Sequence, residues 1–204
     1  MLNSPITYNV TQNVFTKEQC KDIIDYAMKE GHKKDGKVGG DLHDKDKLVL
    51  DPEIRKTDLI FFSQLETYNA LMPFISSINN DSGWKFDLQQ IEPLQLGIYR
   101  EGGHYDWHID VHPYPYHEKS GPFSGLVRKI SFSVLLNDSS EYKGGEFEIE
   151  DKLPDVSPRS HIVNDLLLAG SMITFPSYIP HKINPVTEGV RYSLVGWCCG
   201  KPWR

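Results

Sequence analysis

The sequence is poor in cysteine, in long apolar runs and in positive charge, and each shortage excludes a class of protein. Its three cysteines are Cys20, Cys198 and Cys199, and an odd number with two adjacent members does not form a disulfide framework. We therefore expect reduced thiols and a cytoplasmic location. No apolar stretch approaches the roughly 18 residues that span a membrane, and residues 1–10 lack the basic and apolar regions of a signal peptide.

The balance of charge is negative, with a net charge of −6. Binding to a phosphate backbone usually requires a basic face, so we expect no nucleic-acid partner. The content of 39% hydrophobic and 25% charged residues is typical of a soluble globular protein. A length of 204 residues fits one domain, and residues 1–204 are expected to form it.

A helix is predicted near the start of the chain. The run 16–19 has the capping-box pattern, in which the Thr16 hydroxyl accepts from the third helical N–H and Gln19 reaches back. Apolar residues then recur at helical spacing, and Gly31 is suited to a left-handed stop. The helix is therefore predicted over residues 17–30.

The chain up to residue 83 is predicted to add a loop, a strand and a second helix. Polar residues and glycines dominate residues 31–51, which are expected to form a loop. The run Thr57–Phe62 is typical of a strand, and helical spacing predicts a helix over 64–80, which Pro73 would kink or delay. We expect residues 1–83 to form a helical support region.

From Trp84 onward the pattern changes to short β-type runs separated by turn residues. Short strands at close spacing are typical of a sandwich or barrel. The predicted fold class is mainly β with flanking α, in which a double-stranded β-helix (jelly roll) over residues 84–204 is supported by the N-terminal helices. The predicted strands are Trp84–Ile91, Leu94–Arg100, Tyr105–Asp110, Lys129–Asn137, Glu146–Glu150, Ser171–Pro176, Ile183–Val186 and Val190–Cys198.

The short motif His108-Ile109-Asp110 offers an imidazole and a carboxylate to one point. On a strand, residues two apart project from the same face. A third ligand from a distant strand would complete a face of two histidines and one carboxylate, which suits non-haem Fe(II). The motif alone is weak, because a His-x-Asp pair also occurs on protein surfaces. His181, which follows an apolar strand, is the candidate for the third ligand.

Arg191 opens the last predicted strand and supplies a second element of the site. Arg191, Ser193, Val195 and Trp197 share one face of that strand. A guanidinium that faces a barrel interior requires an anion, because an unpaired buried charge is very costly. The distal end of a dicarboxylate would satisfy both Arg191 and Ser193.

These segments resemble a known family in the right order along the chain. Residues 99–110 (YREGGHYDWHID) resemble the Tyr-x-x-Gly-x-x-Tyr-x-x-His-x-Asp segment of prolyl 4-hydroxylase-like 2-oxoglutarate oxygenases. Residues 128–147 resemble the central strand and Gly-Gly-Glu turn of that family. Residues 169–191 resemble its last metal ligand and co-substrate arginine. The likeness runs from about Trp84 to Trp197.

The resemblance implies a role for each matching position. His108, Asp110 and His181 would be iron ligands, and Arg191 would pair with the distal carboxylate of 2-oxoglutarate, with Tyr99 and Ser193 as helpers. The chain departs from the family at two of its positions. Collagen-type prolyl hydroxylases have lysine at the position of Arg191, and many prolyl hydroxylases have tyrosine at the position of Leu135.

The cofactors implied by the resemblance are Fe(II), with 2-oxoglutarate and O₂ as co-substrates and ascorbate as reductant. The reaction would decarboxylate 2-oxoglutarate to succinate and hydroxylate an unactivated C–H bond. Related halogenases lack the carboxylate ligand, so Asp110 favours hydroxylation.

The substrate implied by the resemblance is a prolyl residue in a peptide or protein. A free amino acid or another small metabolite is the alternative, and the demethylation of nucleic acid is disfavoured by the net charge. A jelly-roll module that binds metal without catalysis is the non-enzymatic alternative, but it would not turn over 2-oxoglutarate. The sequence does not indicate an oligomeric state.

A long loop over residues 111–127 follows the first two candidate ligands. Three prolines stiffen it, and long loops at a barrel mouth often contact substrate. Its residues Tyr114, Tyr116 and Phe123 are expected to frame a shallow mouth that accepts a peptide. Of the remaining residues, the tryptophans Trp107 and Trp197 are expected to serve packing, and His104, His112 and His117 are expected to be solvated.

Overall fold

The computed structural model describes residues 6–35, 51–117, 119–151, 159–166 and 168–203. The two α-helices in these residues are α1 (Lys17–Glu30) and α2 (Leu65–Asp81). The strands are β1 (Asn9–Thr11), β2 (His32–Asp35), β3 (Arg55–Lys56), β4 (Asp58–Phe62), β5 (Gln90–Ile91), β6 (Leu94–Tyr99), β7 (His104–His108), β8 (Val127–Leu135), β9 (Tyr142–Gly144), β10 (Phe147–Asp151), β11 (Arg159–Ile162), β12 (Met172–Pro176), β13 (His181–Ile183), β14 (Val186–Gly189) and β15 (Arg191–Gly200).

The strands of the described residues form two main antiparallel sheets. The large sheet has the order β1-β12-β8-β15-β6-β4-β2, and β5 pairs with β15. The small sheet has the order β11-β10-β13-β7-β3, and β9 pairs separately with β14. The sheets and the two helices confirm the predicted fold class, a jelly roll with flanking helices.

The large sheet has two different faces, because successive side chains of a strand alternate in direction. On β15, Leu194 and Cys198 belong to an apolar cluster shared with Ile23 of α1 and Leu71 of α2. Val195 and Trp197, which alternate with them on β15, face the other way and line the cavity between the sheets. Burial of each large apolar side chain contributes roughly 1.5–3 kcal/mol, so the outer face attaches the helices firmly.

A second apolar cluster fills part of the space between the sheets. Leu135 of β8 and Phe175 of β12 meet Ile149 of β10 and Ile183 of β13 there. All four side chains are nearly inaccessible to solvent. This cluster closes one part of the interior and leaves the rest as the cavity described below.

Helix α1 has the predicted bounds, and its N-terminus has the predicted capping box. The Gln19 N–H donates to the Thr16 hydroxyl, and the Thr16 N–H donates to the Gln19 side chain. The left-handed stop predicted at Gly31 is wrong, because Gly31 has φ −78° and ψ 164°, which is extended backbone. Glycine is required there by contact, since a Cβ would lie 2.3 Å from Ile60 Cγ2.

Helix α2 runs through Pro73, so the proline does not delay its start. Pro73 has no N–H to donate within the helix, and the apolar face of the helix supplies the compensating stability. Leu71, Ile75 and Ile78 of that face are buried in the outer cluster. Neither helix of the described residues is long and apolar enough to cross a membrane.

Two strand predictions are wrong in extent. Of Trp84–Ile91 only β5 is a strand, because Trp84 and Phe86 pack as stacked rings instead of pairing along a sheet. The strand predicted over Ile183–Val186 is two strands, β13 and β14, in different sheets. The other predicted strands from residue 94 onward agree to within about two residues.

The loop predicted over residues 31–51 begins with a strand. β2 pairs with β4 at the edge of the large sheet, which the polar side chains of this segment did not indicate. Residues 36–50 lie outside the described residues. Residues 1–83 therefore contribute strands to the sheets as well as helices, since β1, β2 and β4 join the large sheet and β3 joins the small one.

Candidate active site

The two main sheets enclose a cavity of about 1310 Å³. Its walls include Ser133 and Val195 of the large sheet and His108 and Ile183 of the small sheet. The predicted site residues line this cavity, except for Arg191, which pairs with the lining residue Tyr99 across β15 and β6. A concave cavity with converging polar groups is a common form of ligand site.

Three potential metal ligands meet at one side of this cavity. Among the described residues, His108, Asp110 and His181 form the one cluster of three or more His, Cys, Asp or Glu ligand atoms close enough to share an ion. His108 ends β7 and His181 begins β13, and the two are direct partners across these strands. The prediction that Asp110 lies on the same strand as His108 is wrong, because β7 ends at His108.

The backbone of the following turn nevertheless brings the Asp110 carboxylate to both imidazoles. The Asp110 and Val111 N–H groups donate to the Ser177 carbonyl, which fixes the turn. The His108 Nε2 atom lies 3.8 Å from Asp110 Oδ1, and His181 Nε2 lies 3.5 Å from Asp110 Oδ2. The three ligand atoms lie within 4.8 Å of one another.

The donor set fits a transition-metal ion such as Fe(II). Ligand atoms about 2.1 Å from a shared ion lie at most about 4.2 Å apart, so small side-chain shifts would close the cluster on one metal. Two imidazoles and a carboxylate are the donors of the non-haem iron face. That face leaves coordination positions free for a chelating ligand and O₂.

The ring orientation of both histidines is fixed by the backbone. The His108 Nδ1 atom lies 2.7 Å from the Asp106 carbonyl, and His181 Nδ1 lies 3.0 Å from the Ile179 carbonyl. A carbonyl only accepts, so each Nδ1 carries the hydrogen and each Nε2 presents a lone pair. Burial lowers the pKa of His108, which keeps this imidazole neutral and able to bind metal.

Aromatic rings hold the two imidazoles in place. Tyr105 stacks on His108 with ring centres 3.5 Å apart. Phe147 lies parallel to His181 at 5.5 Å, and Phe175 meets the same ring edge-on at 4.5 Å. These contacts restrict ring rotation and exclude water from one side of the cluster.

Asp110 is buried and remains ionised. Burial by itself raises the pKa of its carboxyl, but its interactions with His181, His108 and Arg128 outweigh this effect and lower the pKa. The Ser131 hydroxyl, which donates to the Ser177 hydroxyl at 3.0 Å, also helps to lower this pKa. A carboxylate rather than a carboxylic acid therefore faces the imidazoles.

Arg191 and Ser193 are buried with unused hydrogen-bonding groups. Arg191 is 1% exposed, and its Nε and Nη1 atoms have no hydrogen-bond partner. The Ser193 hydroxyl also has none. Unpaired buried donors of this kind are costly, so the part of the cavity lined by Ser193, with Arg191 beside it, is suited to an anion that carries several oxygens.

Tyr99 and Tyr142 border the Arg191 guanidinium. The guanidinium carbon lies 5.4 Å from the centre of the Tyr99 ring, and Tyr99 itself is buried. Burial raises the pKa of Tyr142, and the nearby charge of Arg191 opposes this rise. Leu135 is the cross-strand partner of Ser193.

A buried ion pair, which was not predicted from the sequence, lies next to the Asp110 backbone. The Arg128 Nε and Nη2 atoms donate to the two Glu92 carboxylate oxygens, both at 2.7 Å, and Arg128 also lies 3.8 Å over the Trp197 ring. Burial alone raises the pKa of Glu92, but the charge and hydrogen bonds of Arg128 hold it below its ordinary value. Arg128 Nη1 reaches the Asp110 carbonyl at 3.4 Å.

The loop over residues 111–127 is tied to this ion pair. The Tyr116 hydroxyl donates to Glu92 at 2.6 Å, so Tyr116, which lines the cavity, also anchors the loop. Phe123 packs on Tyr116 with ring centres 5.9 Å apart, and Tyr114 is 57% exposed. Tyr114 is therefore the aromatic side chain of this loop with the largest surface available to a substrate.

Three expectations about single side chains are wrong. His104 is half-buried and both of its ring nitrogens lie 3.0 Å from backbone carbonyls, those of Gly102 and Glu53. His112 is half-buried too, and burial followed by the charge of Arg128 lowers its pKa to about 4. Trp107 is 40% exposed instead of packed.

Three further expectations are compatible with the structure. His117 is exposed and accepts from the Lys119 N–H, and Trp197 is buried beneath Arg128. The three cysteines are free and buried. Burial raises the pKa of Cys20 to about 11 and that of Cys198 to about 12, so neither is a reactive thiolate.

The comparison with family models identifies the class of this protein. Residues 94–199, just over half of the chain, match the model of the 2OG-Fe(II) oxygenase superfamily. The chain belongs to this superfamily. The matched segment contains His108, Asp110, His181 and Arg191.

Similar proteins agree with that assignment. A PKHD-type hydroxylase from Pseudomonas putida (strain W619) is 30% identical over 141 residues, which is 66% of this chain and 58% of the relative. The chain thus matches a little over half the length of this curated relative.

Solved structures show the same fold over nearly the whole chain. The viral collagen prolyl hydroxylase of Paramecium Bursaria Chlorella virus-1, in complex with 2OG, is 17% identical with a TM-score of 0.66, covering 96% of this chain and 97% of that one. A prolyl hydroxylase of Trichoplax adhaerens, in complex with a peptide from hypoxia inducible factor, is 15% identical with a TM-score of 0.68, covering 97% and 84%. At these identities the likeness establishes the fold.

Proposed function

We propose that this protein is an Fe(II)- and 2-oxoglutarate-dependent dioxygenase that hydroxylates an unactivated C–H bond, as a single domain over residues 1–204. The observation that carries the proposal is the pairing of two features at one cavity. A cluster of His108, Asp110 and His181 suits iron, and the buried, unpaired groups of Arg191 and Ser193 suit a carboxylate. A cavity of 1310 Å³ exceeds the roughly 300–1,000 Å³ of common ligand pockets, which leaves room for a co-substrate and a substrate together.

Different residues would bind the iron and the 2-oxoglutarate. His108, Asp110 and His181 would hold the iron, with the imidazoles fixed by their Nδ1 hydrogen bonds. Arg191 would bind the distal carboxylate of 2-oxoglutarate in a two-pronged contact, and Ser193 would donate one further hydrogen bond. When bound, the iron would supply the activation of O₂ that couples the decarboxylation of 2-oxoglutarate to hydroxylation.

The surroundings of the site would protect that chemistry from water. Phe147 and Phe175 cover the His181 ring, and Leu135 lies beside Ser193. Tyr99 would form one wall of the co-substrate pocket next to Arg191. An apolar wall of this kind raises the strength of the electrostatic contacts inside the cavity.

A prolyl residue in a peptide or protein is the substrate that the comparisons favour. The structural relatives named above are prolyl hydroxylases, and the Trichoplax enzyme holds a peptide. The exposed Tyr114 on the loop over residues 111–127 would stack against such a peptide. A free amino acid is the second candidate, and the unpaired Arg55 in the cavity is the observation that favours it.

The buried free thiols support a reducing, cytoplasmic location, and ascorbate is proposed as the reductant that maintains Fe(II). A turnover assay with Fe(II), ascorbate and 2-oxoglutarate tests the function. We expect succinate to form, and a 16 Da mass increase on proline-containing peptides or on free amino acids added in parallel. The absence of succinate from freshly loaded protein in every arm would contradict the proposed function.

A further inference from the structure

Arg55 is a cation that the proposed chemistry leaves unused. Its guanidinium carbon lies 4.2 Å from the centre of the Tyr105 ring, and its Nε atom is buried without a hydrogen-bond partner. Tyr105 stacks on His108 with ring centres 3.5 Å apart. Arg55 therefore lines the cavity one aromatic ring away from a candidate iron ligand.

The carboxylates of the cavity wall do not neutralise Arg55. Asp58 and Asp110 are the acidic lining residues in the described part of the chain. Asp58 pairs with Arg100 at 3.4 Å, and Asp110 faces the two imidazoles. Arg55 is half-buried, and a buried Nε donor without a partner is costly, so this position is suited to a ligand that supplies an anion.

The charges of the proposed reaction also leave Arg55 uncompensated, and to this extent the inference rests on the proposed function. Fe(II) and Arg191 together carry three positive charges, and Asp110 with the two carboxylates of 2-oxoglutarate carries three negative ones. In the proposed arrangement, the metal would hold one carboxylate of the co-substrate and Arg191 would hold the other. Arg128 is already neutralised by Glu92.

The lining of the cavity has an excess of basic side chains, whereas the whole chain is acidic. The basic lining residues are Lys33, Arg55, Lys56, Arg100 and Arg128, and the acidic ones in the described part of the chain are Asp58 and Asp110. The chain as a whole has a net charge of −6. A cavity whose sign opposes that of the surrounding protein concentrates anions at its entrance.

We propose that Arg55 binds a carboxylate of the primary substrate and thereby places the target C–H bond beside the iron site. The planar guanidinium matches a carboxylate in a two-pronged contact, which also fixes the orientation of the ligand. The carboxylate comes either from an acidic side chain next to the target residue of a peptide or from the α-carboxylate of a free amino acid. Neutral proline-rich peptides are poor substrates under this proposal.

Matched pairs of probes that differ only in the carboxylate test the proposal and separate the two sources. The first pair is the acetylated and amidated peptide Ala-Pro-Glu and its partner Ala-Pro-Gln. The second pair is L-proline and L-prolinamide. Binding is measured by anaerobic calorimetry on the protein loaded with Fe(II) and 2-oxoglutarate, and succinate formation is measured separately in air.

We expect the acidic member of at least one pair to bind about tenfold to a hundredfold more tightly than its amide partner, the range of a charge-assisted hydrogen bond. Arg55→Gln should remove this preference, and Arg55→Lys should reduce it, because lysine keeps the charge but loses the fork. Arg159→Gln, which removes an exposed positive charge on β11, is the matched control and should keep the full preference.

The outcomes distinguish this inference from the function on which it rests. Equal binding of acid and amide in both pairs by a wild-type protein that forms succinate would overturn the inference and leave the oxygenase standing. A preference that survives in both Arg55 variants would also overturn it. A wild-type protein that forms no succinate would contradict the proposed function itself. If Arg55→Gln does not fold, Arg55→Lys supplies the same comparison.

Discussion

At the scale of single residues, two side chains that are close in sequence have different roles at the site. Asp110 and His112 are two positions apart, yet only Asp110 belongs to the cluster of ligand atoms. The Asp110 turn is fixed by Ser177, whereas the His112 ring lies against Tyr116 with ring centres 5.8 Å apart. Spacing in the sequence therefore does not decide which of these side chains would hold a metal.

Replacement of the candidate ligands is expected to abolish iron binding. Asp110→Ala should weaken Fe(II) binding by more than about a hundredfold, because even the loss of a group that only orients a ligand costs 10–100-fold. It should also stop succinate formation, and His108→Ala and His181→Ala should behave alike. Fe(II) binding is measured by anaerobic titration followed by iron analysis of the desalted protein.

The control for this prediction is His112→Ala. It removes an imidazole of similar burial from the adjacent loop and should leave iron affinity nearly unchanged. Loss of iron from His112→Ala as complete as that from His108→Ala would show that the ligand assignment is wrong.

Arg191 is expected to act on 2-oxoglutarate and not on the metal. Arg191→Ala should lower the affinity for 2-oxoglutarate about tenfold to a hundredfold, since a charge-assisted contact is lost. Arg191→Lys should lower it less, because the charge remains while the two-pronged geometry is lost. Anaerobic calorimetry with Fe(II)-loaded protein measures the affinity, and iron content should stay at the wild-type level.

Much of the candidate site follows from the sequence, and the remainder depends on tertiary contacts. The His108, Asp110, His181 and Arg191 set has a recognisable spacing and order. The stretch that begins at Arg128 was noted for its likeness to the family, but nothing in the sequence indicated that Glu92 would be the partner of Arg128. Pairing of this kind depends on which strands become neighbours, and short-range patterns do not contain that information.

At the scale of elements, local signals were reliable where local contacts decide the structure. Helix α1 begins at its capping box because the hydrogen bonds involved join residues three apart. Strand β2 was missed because its polar residues pair with β4 at a sheet edge, where only backbone hydrogen bonds are needed. The strand was predicted to continue past His108 because Ile109 fits the β-type pattern of the sequence. In the structure the Ile109 side chain is 49% exposed, and the residue follows the end of β7.

The capping box should be measurable as a contribution to stability. Thr16→Ala removes the side-chain oxygen that accepts from the Gln19 N–H, and such a loss typically costs about 1 kcal/mol. For a chain of this size that corresponds to a fall in Tm of about 2–4 °C. Thermal unfolding followed by circular dichroism measures the shift.

Ser124→Ala serves as the control for the cap, because Ser124 is exposed in the loop over residues 111–127 and does not cap an α-helix. Its Tm should stay close to the wild-type value. A Thr16→Ala protein as stable as wild type would mean that the hydrogen bond of the cap is replaced by water without cost.

At the scale of the whole molecule, the ion pair of Glu92 and Arg128 connects distant parts of the chain. Glu92 lies between β5 and β6, Arg128 lies on β8, Tyr116 lies on the loop, and Cys199 of β15 approaches Glu92 at 3.3 Å. Removal of one partner from a buried pair typically costs about 3–5 kcal/mol, because the other charge stays buried. Replacement of both by apolar residues is often nearly neutral.

The pair should therefore show strong coupling in a double-mutant cycle. Glu92→Met or Arg128→Leu alone is expected to lower the free energy of unfolding by several kcal/mol, and the double variant by less than either. Urea unfolding measures the four proteins of the cycle. Additive losses in the double variant would show that the two side chains stabilise the fold independently.

The same pair predicts a dependence of stability on pH. The pKa of Glu92 is lowered in the folded protein, so its contribution is present above the unfolded value near 4.5 and is lost as the pH falls through the folded value. Wild-type Tm should fall as the pH is lowered below about 4.5, and the fall should be shallower in the double variant. Identical slopes in the two proteins would assign the acid loss to other carboxylates.

The position of β15 has a consequence for how the protein is made. It lies between β6 and β8 in the large sheet, yet it is the last strand of the described chain to leave the ribosome. Before β15 is synthesised, β6 and β8 have no strand between them. Arg191 and Ser193, which are proposed to bind the co-substrate, are also still missing from the site. A nascent chain that stops before Arg191 therefore presents two open strand edges, which favour aggregation. We expect such stalled chains to depend on chaperones, and 2-oxoglutarate to stabilise only chains that have passed this point.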